Sequence, residues 1–195
     1  RLYSVVYTSA TIAAGSDFSH FERAVGLDRL EGGGFRTLRL DSSYDFERQM
    51  AVFVPTGLPD PCRSSDRGYA AYVEALAAVL GDVHRAMDGS VLTLFTNRRD
   101  MEELHRRLAP PLARDGLRLL IQERGISRKR VAEEFIADER VSLFATKSFW
   151  EGFDAKGDTL RCVVVPRLPF GAINDPVLEE RKERDSGWWE PYYLP

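Results

Sequence analysis

The chain is poor in the residues that build disulfide frameworks and metal sites, and it lacks a long apolar run. It has two cysteines, Cys62 and Cys162, and three histidines without ligand spacing, which we expect at surfaces or helix ends. Two cysteines cannot form a disulfide-rich scaffold or fill a four-cysteine metal site. With no apolar run long enough to span a bilayer and no signal-peptide pattern, the sequence predicts a cytoplasmic protein without a membrane segment.

An excess of charge of one sign is also absent. The 195 residues include 27 Lys and Arg against 30 Asp and Glu, which gives a net charge of −3. This balance argues against a free-standing polybasic nucleic-acid binder, but it allows a local contact with a phosphate backbone. The composition, 44% hydrophobic and 29% charged, is typical of a globular protein, and the length favours one domain over residues 1–195.

Three common site motifs are missing as well. The chain has no G-x-x-x-x-G-K-[ST] phosphate loop, no G-x-G-x-x-G after a strand and no G-x-S-x-G nucleophile elbow. The sequence therefore argues against a self-contained nucleotide-binding domain and against a complete small hydrolase.

Short apolar runs alternate with amphipathic stretches along the chain. The runs that predict strands are Val5–Tyr7, Ala51–Val54, Val91–Phe95, Leu117–Ile121, Val141–Ala145 and Arg161–Val165. Between them, apolar residues recur with the 3.6-residue period of helices, most clearly over Gly68–Met87. Alternating strands and helices predict an α/β fold with a mostly parallel sheet.

In such a sheet, ligands gather at the carboxyl ends of the strands, where loop amides and helix N-termini point. The first predicted strand is followed by Thr8-Ser9-Ala10-Thr11-Ile12, with three hydroxyls in four positions. Taken alone, this segment favours a helix cap and a turn over a binding site.

A second polar segment, Thr96-Asn97-Arg98-Arg99-Asp100, follows the third predicted strand. Asn97 is suited to cap a helix and Asp100 stands at the third helical position, which approximates a capping box. The free amides of this helix start, a hydroxyl and two guanidiniums would suit a phosphate. The alternative is a capped helix whose arginines are solvated or paired with the glutamates one turn further on.

The third segment, residues 146–154, follows the predicted strand Val141–Ala145. Its aromatic rings could stack on bases, and Lys147 and Ser148 could hold a backbone phosphate. Gly152 allows a ligand to approach the main chain closely, and Glu151 or Asp154 could accept a hydrogen bond from a ribose or pair with an arginine. For the two phenylalanines, Phe149 and Phe153, burial in the core is the favoured alternative; Trp150 could likewise cover the sheet edge.

Read in order, the segments resemble motifs of superfamily 2 helicases of the DinG/XPD-like branch. Thr8–Ile12 resembles motif III, residues 91–97 resemble motif IV, and Ser148–Asp154 (SFWEGFD) resembles motif V. Arg167-Leu168-Pro169-Phe170 is similar to the L-P-F signature that follows. Residues 174–176 and 40–50 also resemble family segments, although Ser43 stands where Pro is commoner.

The resemblance implies a RecA-like three-layer sandwich with a mostly parallel central sheet. Residues 1–195 would be the second motor domain, a fragment of a longer chain, because no Walker A lysine, DEAH-type box or motif VI is found. ATP and Mg would then be held mainly by the first RecA-like domain of the same polypeptide, and any iron–sulfur cluster would belong to the parent alone.

The resemblance also implies residue roles. Glu151, Gly152 and Asp154 would contact the nucleotide. Single-stranded DNA would be contacted by Thr96, Asn97, Lys147, Ser148 and Trp150. Ser9 and Thr11 would couple the two sites, and no catalytic residue would lie within the fragment.

Under this interpretation the parent is an ATP-dependent DNA helicase acting in DNA repair, and the isolated fragment does not hydrolyse ATP. The alternative from another class is a non-catalytic RecA-like scaffold that binds a protein partner and carries degenerate motifs.

Overall fold

The structure, a computed structural model, describes residues 4–10, 12–13, 15–30, 34–62, 65–169 and 175–184. The chain divides into two compact units. One comprises residues 54–169, and the other comprises residues 1–53 and 170–195. The assignment of residues 1–195 to one motor domain stays a prediction.

The unit that contains the N-terminal residues has little regular structure among its described residues. Helix α1 spans Ser19–Val25 and ends at Gly26, whose φ of 78° is the left-handed conformation that commonly terminates helices. A single 3-10 turn, Leu27–Arg29, follows it, and helix α2 is the short segment Phe46–Gln49. Neither helix buries a residue.

The two N-terminal strand predictions are wrong in this structure. Residues 5–7 and 51–54 belong to no strand, and their apolar side chains are largely exposed, as at Val6 (82%) and Phe53 (86%). An apolar run becomes a strand only when its backbone pairs with a neighbour, and these segments have no ladder partner among the described residues.

The other four strand predictions are confirmed. The larger unit contains β1 (Val91–Leu94), β2 (Arg118–Ile121), β3 (Val141–Ala145) and β4 (Cys162–Val164), preceded by helix α3 (Tyr69–Ala86) and connected in part by α4 (Arg98–Arg114) and α5 (Arg128–Ile136). The sheet order is β2-β3-β1-β4, and every neighbouring pair is parallel. β1 and β3 are buried along their whole length, as expected for central strands covered on both faces.

The helices cover both faces of the sheet and complete three layers. Leucines of α3 and α4 pack with Phe95 and Phe144 in one apolar cluster. Phe135 of α5 packs with Leu92, Leu143 and Phe149 in a second cluster. This arrangement confirms the RecA-like α/β sandwich. The last described helix, α6, spans Pro176–Arg184 in the other unit, and no helix among the described residues is long and apolar enough to cross a membrane.

The amino ends of three strands are joined at Ser90, just before β1. The single proton of its hydroxyl is shared between the carbonyls of Glu139 (2.9 Å) and Asp158 (2.6 Å), on the segments that precede β3 and β4. The preceding Gly89 has φ 94°, and a Cβ there would lie 2.5 Å from the Arg140 backbone, so only glycine fits. This junction aligns the strands at one end and thereby places their carboxyl ends together.

One histidine, His84, is buried between helix α3 and the sheet, beside the apolar cluster that contains Phe144. His84, in the last turn of α3, is 1% exposed and its ring lies 5.7 Å from that of Phe144. Neither ring nitrogen has a hydrogen-bond partner within the described residues. The expectation of a helix-end position is confirmed, but this histidine is not at the surface. Burial lowers the pKa of His84 to about 4.

We predict that the chain loses stability as pH falls from about 6.5 toward 4, because the unfolded histidine binds a proton in this range and the folded one does not. The free energy of unfolding should decrease by about 2 kcal/mol between pH 7 and pH 5 on this account. Replacing His84 with Leu should remove that decrease, as measured by urea unfolding at both pH values.

A matched control is Leu80→Ala, a buried neighbour on the same helix. It should lower the free energy of unfolding by a similar amount at both pH values, because it removes packing without a titrating group. An unchanged pH dependence in His84→Leu would contradict the assignment.

Candidate functional site

Two of the three polar segments meet at the carboxyl edge of the sheet. Leu94, the last residue of β1, pairs with Ala145, the last residue of β3. The amide of Phe95 donates to the Ala145 carbonyl at 2.8 Å. The loops that begin at Thr96 and at Thr146 therefore leave the sheet side by side, as the sequence predicts for parallel neighbours.

The polar segment Thr8–Ile12 belongs to the other unit, so its place at this edge stays a prediction. Ser9 is exposed, and Thr11 lies outside the described residues.

The start of α4 is fixed by the predicted cap. Asn97 has extended backbone, and its side-chain oxygen accepts from the amide of Asp100 at 2.9 Å. Its side-chain nitrogen donates to the Asp100 carboxylate at 2.8 Å, which also accepts from the Tyr69 hydroxyl at 2.9 Å. Burial and this bond raise the pKa of Tyr69 to about 12. The capping prediction is thus confirmed, and both polar ends of Asn97 are occupied by Asp100.

The two arginines after the cap differ in their surroundings. Arg98 donates to the carbonyl of Gln122 at 3.0 Å and lies 3.7 Å from Glu102, so it is largely committed within the protein. Arg99 is exposed and has no ion pair within the described residues. Glu103 is bound instead by arginines of the following turn, which lower its pKa. Of the two guanidiniums, Arg99 is the one open to a ligand.

The loop after β3 is anchored by its aromatic residues. Phe149 is 2% exposed, and its ring lies 5.1 Å from that of Phe153, which in turn lies 5.9 Å from Phe135 of α5. Trp150 is half-buried against the same cluster. The expectation that Phe149 and Phe153 belong to the core is confirmed.

On either side of Phe149 and Phe153, the loop exposes a charged residue. Lys147 lies at the start of a 3-10 turn, Lys147–Phe149, and Asp154 follows the second anchor. Both side chains are exposed, and neither has a hydrogen bond or ion pair within the described part of the chain. The loop therefore presents an uncompensated cation near its beginning and an uncompensated carboxylate near its end.

Gln122, which our sequence interpretation missed, connects three segments of the edge. It directly follows β2, and its side-chain oxygen accepts from the amide (2.9 Å) and the hydroxyl (3.0 Å) of Thr146. Its side-chain nitrogen donates to the Ser148 hydroxyl at 2.7 Å. With the Arg98 bond to its carbonyl, Gln122 joins the start of α4 to the loop after β3.

Arg128, at the start of α5, is the second residue that the sequence did not disclose. It donates to the carbonyls of Glu151 (3.0 Å) and Gly152 (2.7 Å), and its guanidinium lies 5.4 Å from the centre of the Phe149 ring. Gly152 has φ 61°, a conformation that side-chain-bearing residues rarely adopt. Arg128 thus holds the backbone of the loop while leaving the side chains of Glu151 and Asp154 exposed.

The other described surface features of this unit do not indicate a binding site. An open groove of about 420 Å³ lies beside Arg98, Gln122 and Arg124, but Glu102 and Glu123 line it as well, so its charge is mixed. Among the described residues no cluster of histidine, cysteine or carboxylate side chains could hold a metal ion.

The fold and its edge loops define a RecA-like domain with an open strand-end surface. A family model described as the helicase C-terminal domain matches residues 80–194, more than half of the chain. The chain belongs to this family, and the matched region contains β1 to β4 with both edge loops.

Named relatives point the same way. The chain is 32% identical over 180 residues to the ATP-dependent DNA helicase YoaA of Escherichia coli, covering 92% of the chain and 26% of that protein. It is 30% identical over 183 residues to the ATP-dependent helicase DinG of Mycobacterium tuberculosis, covering 92% and 25%. The 3'-5' exonuclease DinG of Bacillus subtilis is 28% identical over 178 residues, 91% of the chain and 18% of that protein.

These comparisons confirm the resemblance to DinG-like helicases. The chain spans about a quarter or less of the length of these curated relatives.

Proposed function

We propose that the chain is the second RecA-like motor domain of an ATP-dependent DNA helicase, which closes over ATP held by the first motor domain and moves along single-stranded DNA. The observation that carries this proposal is the loop after β3. Within eight residues it exposes Lys147 and Asp154 without partners among the described residues, and Phe149 and Phe153 anchor it between them. A single rigid segment could therefore face a strand and a nucleotide at once.

On the strand side, the proposal assigns a phosphate contact to Lys147 and Ser148 and base stacking to Trp150. An exposed ammonium and a hydroxyl suit a backbone phosphate, and an indole that packs against the core yet stays partly exposed suits stacking on a base. Thr96 is exposed at the neighbouring strand end. Asn97, whose side chain Asp100 occupies, contributes by fixing the start of α4 beside them.

On the nucleotide side, the proposal uses Glu151, Gly152 and Asp154. The left-handed Gly152 leaves the main chain open to close approach, and the exposed Asp154 can accept from a ribose hydroxyl or an arginine. These features fit the edge of an ATP site whose phosphate loop and magnesium ligands come from the first motor domain. The bound ATP supplies a phosphoryl group whose transfer is governed by positioning and charge.

Coupling follows from the shortness of the loop. When the cleft closes, residues Glu151–Asp154 move toward the nucleotide. Because the Phe149 and Phe153 rings connect the two halves of the loop, residues Lys147–Trp150 move as well, and the affinity for the strand changes with the nucleotide state. Ser9 and Thr11, in the segment Thr8–Ile12, are proposed to couple the nucleotide site to the strand site.

For the parent protein we propose a cytoplasmic location and a role in DNA repair. Its partners would be ATP and single-stranded DNA, and this chain would work with the first RecA-like domain of the same polypeptide. Any iron–sulfur cluster would lie in the parent outside this chain. The protein-binding scaffold is not favoured, because the chain belongs to the helicase C-terminal family and resembles proteins named as ATP-dependent helicases.

In the full-length parent, Asp154→Ala should lower DNA-stimulated ATP hydrolysis on the order of a hundred-fold, because the carboxylate orients groups at the closing cleft. Thermal stability should be nearly unchanged, since the side chain is exposed and unpaired within the described residues. Steady-state phosphate release measures the effect. Asp158→Ala, an exposed aspartate of the next turn, is the matched control and should keep normal turnover. Normal turnover in Asp154→Ala would remove this residue from the nucleotide site.

Lys147→Ala and Trp150→Ala should each weaken single-strand binding by roughly ten-fold while nucleotide affinity is maintained. Fluorescence anisotropy with a labelled oligothymidine measures the first, and a fluorescent ATP analogue measures the second. Lys147→Ala should also reduce the salt dependence of binding by about one phosphate contact. Lys156→Ala removes another exposed lysine nearby and serves as the control. Unchanged DNA affinity in both variants would refute the strand-side assignment.

A further inference from the structure

The side-chain amide of Gln122 has one defined orientation. The amide of Thr146 can only donate, and it lies 2.9 Å from the Gln122 side-chain oxygen. The Thr146 hydroxyl lies 3.0 Å from the same atom. The Gln122 carbonyl group must therefore face Thr146, and its NH₂ group must face the Ser148 hydroxyl, 2.7 Å away.

This orientation determines the role of the Ser148 hydroxyl. An NH₂ group has no acceptor, so Ser148 Oγ accepts the hydrogen bond and cannot return its own proton to Gln122. Ser148 is exposed, and its hydroxyl has no other hydrogen-bond partner among the described residues. Its O–H group therefore has no acceptor among the described residues and is available to a ligand, and the preceding residue, Lys147, is exposed as well.

A hydroxyl donor without an acceptor within the described residues, in a loop that exposes an unpaired lysine one residue earlier, suits an anionic oxygen as its acceptor. We propose that Gln122 is a positioning residue that holds Ser148 as a hydrogen-bond donor to a phosphodiester oxygen of the bound strand. This inference rests on the proposed function and adds a residue that touches no DNA itself. The main-chain carbonyl of Gln122 also accepts a hydrogen bond from Arg98 at the start of α4, and this bond helps to fix the position of Gln122.

Gln122→Glu distinguishes positioning from simple support of the loop. The carboxylate keeps an acceptor for Thr146, so the loop retains that anchor. It has no donor for Ser148, so the serine hydroxyl turns inward to donate to it. The outward donor is lost although the serine is still present.

The test is a double-mutant cycle in the full-length parent, with affinity for labelled oligothymidine as the readout. Ser148→Ala alone should weaken binding about ten-fold, the typical effect of one hydrogen bond to a charged acceptor, without changing the salt dependence. In the Gln122→Glu background, the same substitution should cause no further loss. Ser148→Thr, which keeps the hydroxyl, should restore most of the affinity.

Two results would overturn the inference. One is an equal loss from Ser148→Ala in both backgrounds, and the other is no loss in the native background. An equal loss in both backgrounds refutes the role of Gln122, and no loss in the native background also removes Ser148 from the strand contacts. The remaining strand contacts stand as long as Lys147→Ala and Trp150→Ala weaken binding. If those variants also bind normally, the strand-side proposal falls with it. Melting temperatures of all variants exclude misfolding as the cause.

Discussion

The parallel pairing of β1 with β3 is the constraint on which the site depends. Because Leu94 and Ala145 are partners, the two strands end at the same level and their loops leave the sheet together. At the opposite end, Ser90 ties β1 to the segments before β3 and β4, so that register is held by hydrogen bonds in the core. A slip of one residue would move every side chain of a strand to the opposite face of the sheet, and the two loops would no longer begin at the same level.

On this frame, the loop after β3 is held from two directions without using its exposed charges. Gln122 binds its beginning through Thr146 and Ser148, and Arg128 binds its end through backbone carbonyls. Because these contacts engage backbone atoms and uncharged hydroxyls, Lys147 and Asp154 remain available. A preorganised loop with exposed, opposite charges is what a domain needs in order to respond to two ligands.

The sequence predicted the parts of the structure that depend on local patterns. The strands and helices of the larger unit follow from apolar periodicity, and the Asn97–Asp100 cap follows from spacing within one helical turn. The strands predicted at residues 5–7 and 51–54 fail because pairing needs a partner that periodicity cannot disclose. Gln122 was missed because its contacts lie 24 to 26 residues away in the chain. Its one local signal is a polar side chain directly after the buried strand β2.

Photochemical cross-linking of single-stranded DNA to the full-length parent tests the central claim most directly. An oligonucleotide that carries 5-iodouracil, irradiated in the complex and analysed by peptide mass spectrometry, reports which residues lie against the bases. The account predicts cross-links within residues 146–150, with Trp150 foremost, and beside Thr96. Cross-links confined to the outer surfaces of α3 and α5, with none at the strand ends, would contradict it.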